Sequence, residues 1–394
     1  MMKNMGKTIF KRDEKYFVNA GAANTAREIA QQPSVWMKMS DMFSARRGEI
    51  SEFMGRVLPI HGLRVIFTGA GSSAFIGETM QMMLSAEADM RMEAIHTTDI
   101  VATPECTLRD LPTLMVSYSR SGESPESVGA LQCAASRIKK LFNLVFVCKE
   151  DSSVADYASR TSDTLVLNMP PEACDLGFAM TSSVSSMALG TWLAFGYDRI
   201  AERISAVRAL AGGVEAEMDS LDDVARSVSC WVFDRAAYLG SGELRGLSRE
   251  AAVKMLELTA GEVNAVWDAP MSFRHGPKSM VNDSAVTVHF MSERKTTRRY
   301  DDDVLKERIR QKKGDRIIAV RQASSGYPGV DADVAYNVPP GVDPVMASYI
   351  FGLVFAQLMS LEKSLALGNT TDNPCAGGEV NRVVQGVKIY TEDF

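Results

Sequence analysis

The chain has 394 residues, 46% of them hydrophobic, and a formal net charge of -6. That length and apolar content allow two domain-sized cores, and the acidic balance argues against nucleic acid or an anionic membrane surface as a partner, because both select clustered Lys and Arg. No apolar run reaches the roughly 18 residues needed to span a bilayer, and the start MMKNMGKTIFKRDEK lacks a signal-peptide core, so neither export nor anchoring is expected.

In chain order, residues 24–31 and 35–57 read as helices interrupted near Pro33, the second with Trp36, Met39, Phe43, Ile50, Phe53 and Met54 on an apolar side. An alternating pattern follows: strand 64–69, a helix beginning near Ser73, strands at 92–96 and 113–119, a helix from Glu126 and strand 142–148. Short β-branched runs separated by helices indicate a parallel sheet with helices on both faces. A helix over 181–211 is expected to stop at the pair Gly212 and Gly213, where a domain boundary is placed. The pattern then restarts with a helix near 214–226 and strand 236–242, whose AAYLGSG echoes VIFTGAG at 65–71. A stripe helix, strand 285–290, a charged helix in 301–311, strand 316–320 and a long helix over 344–367 complete a second copy. Cys106, Cys133, Cys148, Cys174, Cys230 and Cys375 have no CxxC or Cys/His ligand spacing, and Cys133 and Cys148 fall in segments that read as buried, which fits a reducing cytoplasm.

Three segments carry chemistry. In SREAAVKMLEL, Glu250, Lys254 and Glu257 recur at spacings of four and three and so share one narrow face of a helix that is otherwise apolar. Such charges face either each other, as a self-satisfied network, or a cavity that is a site. In GAGSSAFIG, Gly71 precedes Ser72 and Ser73 at a helix N-terminus, a geometry that binds anions. In SYSRSGESPES, Ser119, Ser121 and Ser124 bracket Gly122 directly after a strand. Two such turns on neighbouring strands place hydroxyls and amides at the carboxyl edge of the sheet, where doubly wound folds bind ligands, and neutral donors can hold a phosphate there. The cluster Arg294, Lys295, Arg298 and Arg299 reads as a solvated loop.

These residues resemble the sugar isomerase (SIS) domain proteins, in which an SxSGxS turn binds the phosphate of a sugar phosphate. The E…K..E helix followed by His275-Gly276-Pro277 resembles the isomerase part of glucosamine-6-phosphate synthase. CDLGFAMTSSVSSM (174–187), LGSGELRG (239–246), ELTAGEV (257–263), FRHGPKSMV (273–281) and EVNRVVQGV (379–387) are similar to the galactosamine-6-phosphate deaminase/isomerase group, also labelled tagatose-6-phosphate ketose/aldose isomerase. The resemblance implies an α/β fold of two SIS domains, each a parallel-sheet three-layer α/β/α sandwich with flavodoxin-like nesting. It places a helical arm at 1–49, a phosphate-binding domain at 50–213, a catalytic domain at 214–372 and a tail over the active site at 373–394. The second half has MSERKTTRRYDDD (291–303) where its own serine turn would stand, so one site per chain follows.

The implied roles are Glu257 as the base moving a proton between C2 and C1, from a buried carboxylate, and His275 as the ring-opening acid–base group. Lys254 would polarise the substrate oxygen and Glu250 would hold Lys254. The family's tail lysine corresponds to Gln385. The reading is a cytoplasmic enzyme without metal or organic cofactor, turning galactosamine 6-phosphate into tagatose 6-phosphate and ammonia as a homodimer or higher homo-oligomer with a shared active site. Aldose–ketose isomerisation of a hexose 6-phosphate, glucosamine-6-phosphate deamination and a non-catalytic sugar-phosphate sensor are the alternatives.

Overall fold

A computed structural model describes residues 8–88, 90–323, 326–378, 380–382, 384 and 386–391; Gln385 lies outside the described residues. Strands β1 (Thr8–Ile9) and β2 (Arg12–Asp13) form a small antiparallel hairpin. Strands β3 (Arg64–Thr68), β4 (Arg91–Ala94), β5 (Thr113–Ser119), β6 (Leu141–Val147) and β7 (Thr164–Asn168) form a parallel sheet in the order β4-β3-β5-β6-β7. Strands β8 (Arg235–Gly240), β9 (Asn264–Asp268), β10 (Ala285–Phe290), β11 (Arg316–Gln322) and β12 (Ala332–Tyr336) form a second in the order β9-β8-β10-β11-β12.

The two orders are the same permutation, which makes the chain an internal duplication. Because each order reverses at its first strand, right-handed crossovers place the helix after β3 (Ser72–Ser85) and the helix after β5 (Pro125–Arg137) on opposite faces of the sheet. The same holds for Leu244–Leu258 after β8 and Lys295–Arg310 after β10. Central strands β3, β5 and β10 are buried along their whole length, as strands covered on both faces must be. Cys133 and Cys148 are buried as expected.

Two compact units result, each discontinuous in sequence. One holds the first sheet in Ser34–Cys174 and Ser182–Arg208, with the segment from Val380 onward. The other holds the second sheet in Ala209–Glu379, with the residues up to Pro33 and Asp175–Thr181.

The helix expected over 181–211 is two helices, Ser182–Phe195 and Ile200–Ser229, and the glycine pair does not stop the second. The break lies at Gly196, where a Cβ would sit 2.2 Å from Cδ of Arg203. Arg203 folds back to donate to the Trp192 carbonyl at 2.5 Å and lies 4.4 Å over the Trp192 ring, so a side chain eleven residues along closes the helix end. Gly213 is needed for close packing, since a Cβ there would meet Pro339 at 2.5 Å. The expectation that no segment matches a membrane span also fails. Pro344–Leu367 is long and apolar enough, yet its apolar window is 89% buried, and it serves as a core helix.

The sequence DLGFAMT (175–181) is held within the second-sheet unit by two carboxylates. Asp175 accepts from the Thr181 N–H and hydroxyl, both at 2.8 Å, and Glu28 accepts from the N–H groups of Leu176 at 2.5 Å and Gly177 at 3.1 Å. Gly177 has no room for a side chain, because a Cβ would lie 2.9 Å from both Glu28 and Thr25. Burial, followed by the nearby charge of Asp175, pushes the Glu28 carboxyl up to about 7 despite those N–H donors. A carboxyl raised in the folded state stabilises the fold fully below its unfolded value, and loses that contribution as pH rises through 7. Thermal unfolding of Glu28→Gln should therefore be less pH-dependent than that of the unaltered chain between pH 5 and 8, with the difference in Tm shifting in favour of the variant as pH rises. Parallel Tm curves would remove Glu28 from the titration.

Candidate active site

The serine turns lie together because β3 and β5 pair in parallel, Thr68 opposite Ser117, and both turns leave the carboxyl ends of those strands. The first turn narrows at Gly69, where a Cβ would strike Ser73 at 2.6 Å, and swings through Gly71 at φ +56°, a left-handed conformation that glycine adopts without strain. Ser72 and Ser73 then open the helix and are buried. In the second turn, Ser119 Oγ accepts from the Gly122 N–H at 3.0 Å and Ser121 Oγ from the Glu123 N–H at 3.2 Å. Each hydroxyl that accepts a backbone N–H keeps its own proton to donate. Ser124 caps the following helix, accepting from the Ser127 N–H at 3.3 Å. Gly122, at φ +65°, presses against Ser152, whose Oγ would be 2.2 Å from a Cβ. All five serines therefore stand at one sheet edge.

Two further groups share this edge and went unread in the sequence. Arg120, between Ser119 and Ser121, is buried, and its Nη2 donates to the Arg382 carbonyl at 2.6 Å. The arginine inside SRSGES was the available signal, because the turn was read as holding anions with neutral donors alone. His96, just past β4, lies 3.0 Å from Glu78 on the helix that Ser72 opens. That pairing is far apart in sequence and left no local pattern.

In the other unit, the stripe is as the spacing requires. Lys254 Nζ lies 2.5 Å from Glu257 Oε2 and 3.3 Å from Glu250 Oε1. Lys254 and Glu250 are almost wholly enclosed, at 1% and 2% side-chain exposure, whereas Glu257, in the last turn of Leu244–Leu258, is 29% exposed. The burial expected at Glu257 is thus found at Glu250, while Glu257 lies on the partly open side of the helix's last turn. Burial alone draws the Lys254 ammonium down, but Glu250 and Glu257 together outweigh it and hold the group above its ordinary value. Arg245 and Arg249 of this helix lie over the Trp267 ring at 5.3 and 5.0 Å.

His275 is exposed, on a loop fixed at both sides. Phe273 is fully buried against Ala237 and Leu239 of β8, and Arg274 and Lys278 both reach Glu307, each at 2.8 Å. Gly276 takes φ +134° before Pro277. Among the described residues, no side-chain hydrogen bond or ion pair joins His275 to the stripe. The structure brings Glu250, Lys254 and Glu257 together and leaves His275 separately presented. The cluster expected as a solvated loop is the start of a helix, Lys295–Arg310. Arg294 pairs with Glu243 at 2.9 Å and Arg298 with Asp302 at 3.1 Å, while Lys295 and Arg299 are exposed.

The SIS domain family matches residues 61–196. D-galactosamine-6-phosphate deaminase AgaS of Escherichia coli is 38% identical over 384 residues, covering 96% of this chain and 98% of its own. The chain belongs to the AgaS family. The Escherichia coli structure of tagatose-6-phosphate ketose/aldose isomerase, 35% identical, superposes with a TM-score of 0.85 over 93% of this chain and 96% of that one. A solved structure from Clostridium novyi NT, 33% identical, reaches 0.94 over 98% and 99%.

Because Glu250 is enclosed with Lys254, Lys254→Met should cost about 3–5 kcal/mol in urea unfolding by leaving a buried carboxylate without its cation. Adding Glu250→Gln should recover part of that loss. A single variant as stable as the unaltered chain would show that the stripe does not depend on this pairing.

Proposed function

We propose that this AgaS-family chain is a D-galactosamine-6-phosphate deaminase that converts galactosamine 6-phosphate and water to tagatose 6-phosphate and ammonia, working as a cytoplasmic homodimer. The observation that carries the reading is the near full-length likeness to the Escherichia coli deaminase, and the stripe supplies the chemistry. With the sugar ring opened by His275, Glu257 takes the proton from C2, giving an enolamine whose C1 oxygen accepts a hydrogen bond from Lys254. As Lys254 turns to that oxygen it leaves Glu257, freeing the carboxylate for the proton. Glu250 keeps the ammonium charged and in place meanwhile. Glu257 then returns the proton to C1, leaving an imine at C2. Water adds to the imine and ammonia departs, so the net reaction consumes one water and leaves Glu257 as it began. The phosphate is assigned to Ser72, Ser73, Ser119, Ser121 and Ser124 with the backbone of Gly71 and Gly122, and Arg120 adds a positive charge to that turn.

Glu257→Gln should lower the rate of ammonia release from galactosamine 6-phosphate by roughly two to four orders of magnitude with substrate binding largely kept. Near-normal turnover would take Glu257 out of the mechanism. Release of tagatose 6-phosphate from a 2-hydroxy substrate with no ammonia from the 2-amino one would favour simple isomerisation.

The exposure of His275 on a braced loop favours a pocket completed by the partner copy. Mixing Glu257→Gln chains with His275→Ala chains should then restore about a quarter of wild-type sites in a two-fold dimer, since half of random dimers are mixed and each has one intact pocket. If mass spectrometry confirms mixed dimers and no activity returns, His275 serves its own chain.

A further inference from the structure

The duplicated sheets invite a comparison of their turns. Gly240 ends β8 as Gly69 follows β3, and each closes against the residue four positions on: a Cβ at Gly240 would meet the Leu244 carbonyl at 2.3 Å, and one at Gly69 would meet Ser73 at 2.6 Å. Gly242, at φ +58°, matches Gly71 at +56°. β8 and β10 pair as β3 and β5 do, so the turns 241–243 and 291–294 occupy in the second unit the positions that 70–71 and 119–124 occupy in the first. The backbone cradle has therefore been kept while the serine motif has gone.

The kept cradle is filled. The Ser241 hydroxyl, from the turn after β8, donates to Asp301 Oδ1 at 2.5 Å, and the Ser292 N–H, from the turn after β10, donates to Asp301 Oδ2 at 3.0 Å. One carboxylate thus receives one donor from each turn, on separate oxygens, and Asp301 is only 1% exposed. It projects from the helix Lys295–Arg310, seven residues in, where the first unit's helix Pro125–Arg137 carries the apolar Leu131. The surrounding charges are Arg298, Asp302, Glu293 and the Arg294–Glu243 pair. A buried carboxylate held by converging donors at the carboxyl edge of two central strands stands where a bound oxyanion would stand.

We propose that the second unit retains an oxyanion-binding site whose occupant is the chain's own Asp301, so that a phosphate is excluded there by an internal carboxylate. The site takes tetrahedral oxyanions such as inorganic phosphate once that carboxylate is removed. The proposal does not depend on the reaction catalysed.

The test is to count inorganic phosphate bound per chain by equilibrium dialysis in the unaltered protein and in Asp301→Ala, at matched ionic strength in chloride. The variant should bind one equivalent more than the unaltered chain, whatever that chain binds, and its Tm should rise with phosphate by more than the unaltered chain's does. Asp301→Asn, which fills the same volume, should gain no equivalent. An equal phosphate count in Asp301→Ala and the unaltered chain, with equal shifts of Tm, overturns the proposal. Should Asp301→Ala not fold unaided, Asp301→Ser keeps a hydroxyl for the Ser292 N–H. If neither folds in chloride, a refolding yield higher in phosphate supports the proposal and an equal yield overturns it.

Discussion

The pairing of Lys254 with two carboxylates on one helix face is the interaction around which the second unit's buried polar stripe is built. An ammonium at 1% exposure could not stay charged on its own. Glu250, equally enclosed, is the buried partner, and Glu257, in the last turn, is the partly open one. Two carboxylates seven positions apart thus share one cation at very different exposure, 2% for Glu250 and 29% for Glu257. The stacking of Arg245 and Arg249 on Trp267 holds the outer part of the same helix without adding carboxylates to compete for Lys254.

A second constraint comes from the parallel sheets. Every strand-to-helix turn in such a sheet points its N–H groups and glycines toward the carboxyl edge, so each unit is predisposed to hold anions there. The first unit answers with hydroxyls whose lone pairs are already used by backbone N–H groups, leaving protons to offer, and with Arg120 buried among them. The second answers with a carboxylate from its own helix. Backbone dipoles and the enclosed Arg120 guanidinium thus make the first unit's sheet edge locally positive in a chain that is acidic overall.

How much of this was legible follows the range of the interactions. The central strands read as continuous apolar runs because both faces are covered, and 113–119 matches β5 to the residue. The edge strands β7, β9 and β12 went unread: β7 and β12 alternate buried and open positions, β9 is largely half-exposed, and each is only five residues long. The stripe was legible because its partners lie three and four positions apart. The helix break at Gly196 was not, because the closing group is the side chain of Arg203, and glycines 212 and 213 were the more visible signal. Glu28 reaches a loop 148 residues away, and no local pattern announces such a bond.

The duplication explains why resemblance between the halves was visible in glycines before anything else. Gly69 and Gly240 are fixed by steric contact with the next helix, a requirement of the turn itself that survives whatever the turn binds. The donors around them face no such requirement. Serines can be exchanged for Glu293 and Arg294 provided that every buried N–H still finds an acceptor, and Asp301 meets that condition for Ser292. Backbone geometry thus persisted in both halves while the polar groups around it diverged, serines in the first and an internal carboxylate in the second. A glycine pattern alone reports where an anion can sit, and the polar residues around it decide which anion does.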